Sequence, residues 1–181
     1  MKPHSYTSEG IVLARRDFGE ADRILVLYTK NFGRVSFVAK GVRRPKSRKR
    51  GHVEVFNLVK FQAITGRGID LMTEAEVIDD FKEVRRSLKK ISLAYYFSEV
   101  IGRITHEQEP NLDLFNLILK YLNSLKTAVE LKKLREDFIL ELLILTGYWP
   151  RGKKLEDPDE KLEEVIERQI YSVRVGKRVL S

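Results

Sequence analysis

The chain of 181 residues contains no cysteine, which excludes disulfide bonds and thiolate metal sites. Its three histidines, His4, His52 and His106, are too far apart in sequence to predict a metal cluster or a catalytic pair. No apolar run approaches the roughly 20 residues that cross a bilayer, and the N-terminus lacks the pattern of a signal peptide. These absences predict a soluble cytoplasmic protein without a metal ion or a cofactor.

The motifs of common enzyme classes are also missing. No P-loop occurs, and Gly66-Arg67-Gly68 lacks the remaining glycine of a dinucleotide fingerprint. The kinase-like tripeptide Asp17-Phe18-Gly19 follows only 16 residues, which leaves no room for a nucleotide-binding lobe. Asp17, Glu20 and Asp22 could hold Mg²⁺ in a nuclease, yet no Lys or His base accompanies them at a fixed spacing. The chain is therefore predicted not to be an enzyme, and these acids to be turn and strand-edge carboxylates.

The first part of the chain carries all of the excess positive charge. Lys and Arg number 34 against 26 Asp and Glu, a formal net charge of +8. Residues 1–73 contain 15 basic and 6 acidic side chains, a net of +9, whereas residues 74–181 contain 19 and 20, a net of −1. The first part is therefore the predicted polyanion binder.

Positive charge is densest in residues 40–50, KGVRRPKSRKR, which hold seven Lys or Arg side chains and no acid. Such a basic tract binds phosphates because each contact releases condensed counterions, and Gly41 and Pro45 oppose a regular helix. A solvated, disordered loop would explain an isolated charge run equally well. The position of the tract between two strand-like segments favours nucleic-acid binding.

Five strand-like segments alternate apolar and polar residues before residue 80. They cover residues 9–16, 23–30, 34–40, 52–65 and 69–78. Asn31-Phe32-Gly33 and the glycines around Arg67 predict hairpin connections, because glycine adopts positive φ at no steric cost. Five short strands favour a small closed barrel, of which the OB-fold is the commonest that binds nucleic acid.

From about residue 81 the apolar period becomes helical. Three apolar stripes predict the shared core of a helical bundle: Leu93, Phe97, Val100, Ile101 and Ile104; Leu114, Phe115, Ile118, Leu122 and Leu125; Leu131, Leu134, Phe138, Leu142 and Leu145. Pro110 and Asn111 mark the start of the second helix, and Gly147 with Pro150 the end of the third. Residues 1–80 and 81–181 are accordingly predicted to be two domains.

Two further elements are predicted beyond Pro150. Asp157 is a helix cap, and a short apolar stripe of Leu162, Val165, Ile166 and Ile170 follows it. Tyr171, Val173 and Val175 then alternate like a small strand.

Other side chains of the barrel region join the basic tract as candidate nucleic-acid contacts. Five arginines lie on or beside the predicted strands: Arg15, Arg16, Arg23, Arg34 and Arg67. Tyr28, Phe32 and Phe37 are interleaved with them, and unpaired bases stack on aromatic faces. Phe37 alternates with Val35 and Ala39, which places it in the predicted core. Phe32, in a hairpin turn, is the better stacking candidate.

Four strings of the sequence carry a family resemblance. They are GEADRIL at residues 19–25, AKGVRRPKSR at 39–48, GRGIDLMTEAEVIDDF at 66–81 and LTGYWP at 145–150. Together, over about residues 8–150, they resemble the bacterial recombination mediator family RecO. The first two match its GEAD-R-I-L and A-K-G-x-R-R-P-K-S-R segments.

The resemblance implies an α+β protein, with an N-terminal five-stranded OB-fold β-barrel followed by an α-helical domain. It implies a non-enzymatic protein of recombinational repair that binds single- and double-stranded DNA and anneals complementary strands. The implied protein also helps to load a recombinase on DNA that is coated with single-stranded-DNA-binding protein. The implied partners are RecR and the C-terminal tail of the single-stranded-DNA-binding protein (SSB), with the recombinase RecA as an indirect partner. The implied location is the cytoplasm, in association with the nucleoid.

The predicted DNA-binding residues rest on different grounds. The family pattern carries over to Lys40, Arg43, Arg44, Lys46 and Arg48. Lys49 and Arg50 extend the tract on charge alone, and the five strand arginines and Phe32 complete the predicted site.

The sequence departs from the family after Pro150. Many members place four cysteines there as zinc ligands, whereas this chain has none, which excludes that zinc site. Its C-terminal segment is expected to be a shortened one, which puts the family's partner surfaces there in doubt.

Two other functions stay open. A protein-interaction adaptor could bind acidic partner tails through the helical domain, and a basic OB-fold could bind RNA in place of DNA.

Overall fold

The computed structural model describes residues 3–47 and 51–167. In that part of the chain the strands are β1 (Ser5–Phe18), β2 (Asp22–Thr29), β3 (Gly33–Ala39), β4 (Leu58–Ile64) and β5 (Asp70–Asp79). The helices are α1 (Lys82–Arg85), α2 (Leu88–Ile104), α3 (Leu112–Thr127) and α4 (Leu131–Leu145), and a further helical segment covers residues 158–167. The strand predicted at Tyr171, Val173 and Val175, and the end of the stripe at Ile170, lie outside the described residues.

The five strands close into a barrel in the order β1-β2-β3-β5-β4. Its pairs are antiparallel except for β3 and β5, which run parallel. Strand β1 takes part in two ladders, with β4 from Ser5 to Ile11 and with β2 from Gly10 to Phe18, and the β1–β2 ladder has a register shift between Val12 and Ala14. The predicted OB-fold barrel followed by helices is confirmed.

Alternate residues of the strands fill the barrel, as their period of two requires. Leu25 and Leu27 of β2, with Phe37 of β3, are fully buried. The ring of Phe37 lies 4.9 Å from that of Phe61, with an interplanar angle of 65°. The prediction that Phe37 is a core residue is confirmed.

One predicted strand was too long. The segment 52–65 does not form a strand from His52, because β4 begins only at Leu58. Residues 51–57 form turns in which Val53 and Phe56 are buried, and Phe56 adopts a positive φ of 59°. The apolar residues of this segment therefore serve the core from a turn, which an alternation of apolar and polar residues cannot distinguish from a strand.

The predicted helices are confirmed, and side chains define their ends as expected. The Asn111 Oδ1 atom accepts hydrogen bonds from the backbone N–H groups of Asp113 and Leu114, at 3.0 and 3.1 Å. Asp157 caps the segment 158–167 in the same way, through the N–H of Glu160 at 2.9 Å. Gly147, with φ at 80°, follows α4 where a left-handed residue ends a helix.

The chain divides into two compact units, residues 1–127 and 128–181. The first contains the barrel and α1 to α3, with α2 packed on β1 and on α3. The second contains α4 and the segment 158–167. The barrel itself ends at Asp79, next to the predicted domain boundary at residue 80, which stays a prediction. No helix within the described ranges is long and apolar enough to cross a membrane.

Candidate nucleic-acid interface

The basic tract begins as an ordered turn over residues 40–47. Its backbone is held by the β1–β2 turn, where the Gly41 N–H donates to Asp22 Oδ1 at 2.7 Å and the Arg43 N–H to the Ala21 carbonyl at 2.9 Å. Val42 is fully buried in the barrel core. The disordered-loop interpretation is therefore wrong for residues 40–47, because an apolar anchor and two hydrogen bonds hold them.

The cations of this turn differ in their surroundings. Lys40, Arg44 and Lys46 are exposed, and none of them forms an ion pair with a described residue. Arg43 is half-buried instead, and contacts the β1–β2 turn. Arg48, Lys49 and Arg50 lie outside the described residues. Three free cations on an anchored turn form a surface that suits phosphate groups.

Three predicted arginines meet two carboxylates at the end of the barrel where β1 ends and β2 begins. We call this group the rim cluster: Arg15, Arg23, Arg43, Asp17 and Glu54. Arg15 Nη1 lies 2.8 Å from Glu54 Oε1, Arg23 Nε 2.9 Å from Asp17 Oδ1, and Arg43 Nε 3.5 Å from Asp17 Oδ2. The hydrogen bond from Arg23, with the charges of Arg43, Arg23 and Arg15, lowers the pKa of Asp17. These arginines are partly neutralised by the protein itself.

Arg16 and Arg34 lie elsewhere, in a groove of about 280 Å³ on the outer face of β2 and β3. We call it the outer groove; Ile24, Ser36 and Glu107 also line it. OB-folds bind oligonucleotides on this face and on the turns β1–β2 and β4–β5 beside it. Arg15 and Arg16 thus serve different surfaces, because successive residues of a strand point to opposite faces.

Arg34 is held in place by the α2 helix. Its Nη1 donates to the Gly102 carbonyl at 3.0 Å, and its own carbonyl accepts the N–H of Gln108 at 3.0 Å. Its buried Nε has no hydrogen-bond partner among the described residues. Arg16 is exposed on the same groove, and Arg67 is exposed in the β4–β5 turn. Arg16 and Arg67 are therefore the exposed cations on and beside this face, and Arg34 is part of its wall.

The structure places Phe32 partly inside the protein. Its ring lies 4.6 Å from the ring of Tyr6 and packs against the barrel core, while its N–H donates to Thr29 Oγ1 at 3.0 Å. Base stacking on Phe32 stays a prediction, and only part of its ring is accessible to a base.

The acidic partners of the arginines were missed by sequence reasoning. Asp17 faces Arg23 across the β1–β2 hairpin, so the hairpin register could have indicated that pair. Glu54 is 39 positions from Arg15 in the sequence and no local pattern points to it. Asp17 and Asp22 are turn and strand-edge carboxylates, as predicted. No group of acidic or histidine side chains in the described ranges could hold a metal ion.

Tyr28 gives a prediction for alkaline pH. It is fully buried on β2, its O–H donates to the Asn111 carbonyl at 3.4 Å, and burial raises its pKa to about 12. A tyrosine whose pKa is higher in the folded state stabilises the fold below its unfolded pKa of about 10, and this contribution is lost as pH rises towards 12.

We expect urea denaturation of the Tyr28→Phe variant to show a smaller loss of stability between pH 10 and pH 12 than the unchanged chain. In a titration followed by tyrosinate absorbance, the Tyr28→Phe variant should lack one tyrosine that ionises near pH 12 in the unchanged chain. Identical pH profiles of the two proteins would contradict this assignment.

Comparisons with known proteins agree with this architecture. A family model described as recombination protein O, N-terminal, matches residues 1–81, and the corresponding C-terminal model matches residues 85–154. The DNA repair protein RecO of Pelotomaculum thermopropionicum is 39% identical over 145 residues, which are 80% of this chain and 56% of that protein. RecO of Dehalococcoides mccartyi is 32% identical over 161 residues, 89% of this chain and 64% of the relative.

A third relative, RecO of Rubrobacter xylanophilus, is 39% identical over 147 residues, 81% of this chain and 59% of that protein. The chain therefore spans between 56% and 64% of the length of these relatives. Two family models in the expected order, together with these identities, show that the chain belongs to the RecO family of DNA repair proteins.

Proposed function

We propose that this chain binds single- and double-stranded DNA through its barrel, as a non-enzymatic component of recombinational repair. The observation that carries the proposal is the anchored turn of residues 40–47, which presents Lys40, Arg44 and Lys46 to solvent without acidic partners in the described ranges. Phosphates favour such cations through counterion release, which is independent of base sequence.

Two surfaces contribute to this binding. The tract and the rim cluster supply cations at one end of the barrel, and the outer groove adds Arg16 with Arg67 in the neighbouring turn. Cations that contact two strands at once reduce the repulsion between their phosphates, which favours annealing of complementary strands. The proposed binding partners are RecR and the SSB tail. Through these contacts the chain helps to load RecA on SSB-coated DNA. The proposed location is the cytoplasm, on the nucleoid.

Salt dependence is the first test of the proposal. If about 4 to 6 cations meet phosphates of a single strand, the logarithm of the binding constant should fall with the logarithm of salt concentration at a slope of roughly −3 to −4. Fluorescence anisotropy of a labelled oligonucleotide between about 0.05 and 0.3 M salt measures this slope. A binding constant that does not change with salt concentration would contradict phosphate binding. A higher affinity for a matched RNA oligonucleotide than for the DNA oligonucleotide would favour an RNA-binding protein.

Annealing tests the finer part of the proposal. Complementary oligonucleotides coated with SSB should anneal faster when this chain is added, and faster still with RecR. Uncoated oligonucleotides serve as the control, because they report annealing that needs no SSB contact. Acceleration on bare strands alone would retain DNA binding and reject the SSB partnership.

A further inference from the structure

The rim cluster contains a carboxylate that uses both of its oxygen atoms on different arginines. Asp17 Oδ1 accepts from Arg23 Nε at 2.9 Å, and Asp17 Oδ2 lies 3.5 Å from Arg43 Nε. The Arg43 side chain also donates to the Gly19 carbonyl at 3.3 Å. The two guanidinium groups are thus gathered around one small anion that belongs to the protein.

Arg23 is incompletely satisfied in this arrangement. Its side chain is 16% exposed, and its buried Nη1 has no hydrogen-bond partner in the described part of the chain. Glu54 Oε1 lies 3.8 Å from that nitrogen, which is too far for a hydrogen bond. A guanidinium has five N–H donors in a fixed fork, so Asp17 and Glu54 leave part of the hydrogen-bonding capacity of Arg23 unused.

Asp17 is also easy to displace. Its side chain is 54% exposed, and exposed ion pairs contribute little to stability. A phosphodiester carries the same single charge, and arginine binds phosphate oxygens bidentately. Arg43 lies on the same turn as Lys40, Arg44 and Lys46. A DNA strand bound to those three cations would therefore pass close to Asp17.

We propose that the space between Arg23 and Arg43 is a phosphate site that Asp17 fills in the free protein, and that a backbone phosphate of DNA competes with the Asp17 carboxylate for it. This inference rests on the proposed function and deepens it. Asp17 weakens binding of the polyanion, because each phosphate that enters the site must first release two ion pairs. Asp17 is therefore a residue that limits affinity, and removal of its charge should strengthen binding.

The test compares two substitutions that change the net charge by the same amount. Asp17→Asn removes the competing charge and keeps an oxygen that can accept from Arg23. Glu9→Gln is the matched control, since Glu9 is 40% exposed on β1 and forms an ion pair with Lys30 at 3.4 Å, outside the rim cluster. Both side chains are accessible to solvent, so both variants should fold, and thermal melts check this.

Anisotropy with a labelled oligo-thymidylate at about 0.1 M salt should show a rise in affinity of about 3- to 10-fold for Asp17→Asn, against less than about twofold for Glu9→Gln. Arg23→Lys added to Asp17→Asn should remove most of the gain, because an ammonium group cannot form two parallel hydrogen bonds to phosphate. If the unchanged chain binds the oligonucleotide, an equal gain in the two single variants, or no gain for Asp17→Asn, would overturn the phosphate site.

Inorganic phosphate provides a readout that does not depend on DNA binding. Phosphate should raise the melting temperature of Asp17→Asn by more than that of the unchanged chain or of Glu9→Gln. If none of these proteins bound the oligonucleotide while phosphate still stabilised Asp17→Asn selectively, the proposed function would fail and the phosphate site would stand. Equal stabilisation of all three proteins would reject the site.

Discussion

Replacement of both Arg44 and Lys46 by glutamate should lower the affinity for single-stranded oligonucleotides by about 10- to 100-fold at about 0.1 M salt. Both side chains are exposed on the anchored turn and form no ion pair with a described residue, so the change removes two phosphate contacts and adds two repulsive charges. The salt slope should become shallower by about 1.4, since each single-strand contact contributes about 0.7. Oligonucleotides of different base sequence should lose affinity alike, because phosphate contacts do not distinguish bases.

The control for this variant is the same double reversal at Lys132 and Lys133, which are exposed on α4. It produces the same change in net charge on a different element. Anisotropy titrations of both variants, at several salt concentrations, separate a local contact from the total charge of the protein. A loss of equal size in the control would show that the tract has no special role.

The Arg85→Ala substitution should lower the free energy of unfolding by about 2–4 kcal/mol. The half-buried Arg85 guanidinium donates to three oxygens: the Asp80 carbonyl at 2.8 Å, the Val55 carbonyl at 2.9 Å and Asn57 Oδ1 at 2.7 Å. Its central carbon also lies 3.9 Å from the centre of the Phe56 ring. Asn57 is buried, so the loss of Arg85 leaves a buried acceptor without its charged donor.

Urea denaturation measures this effect, with Arg86→Ala as the neighbouring control. Arg86 is exposed, and its replacement should change the free energy of unfolding by no more than about 0.5 kcal/mol. Arg85→Lys should fall between the two, because one ammonium group keeps the charge but cannot reach three separate acceptors. An Arg85→Ala variant as stable as Arg86→Ala would show that the hydrogen bonds of Arg85 do not stabilise the turn 51–57.

The contacts of Arg85 explain why residues 52–57, predicted as part of a strand, form a turn instead. Val53, Val55 and Phe56 have the composition of a strand, and local periodicity contains no information about a guanidinium that arrives from α1. The hydrogen bond from the Val77 N–H to His52 Nδ1, at 3.1 Å, is another contact made by a distant element. The conformation of residues 51–57 therefore depends on contacts with distant elements and not on the local pattern of apolar residues.

The candidate site, like the fold, was predictable only in part from the sequence. The tract was recognisable from charge alone, and the +9 of residues 1–73 correctly pointed to the barrel region as the basic part of the chain. The predicted arginines, however, are not equivalent in the structure. Arg34 is hydrogen-bonded to α2, and Arg23 and Arg43 share Asp17. The predicted cations that are exposed and lack such partners in the described ranges are Arg16, Arg67 and, on the turn 40–47, Lys40, Arg44 and Lys46.

The sequence by itself determined the five strands, the ends of the helices at Asn111 and Gly147, and the location of the positive charge. These features depend on neighbouring residues, through side-chain alternation, capping and local charge density. Only the tertiary structure decided which arginines are available to a ligand. That depends on closure of the barrel, which brings Glu54 to Arg15 across 39 positions and places Asp17 between two guanidinium groups, because the strength of an ion pair depends on distance in space and not along the chain.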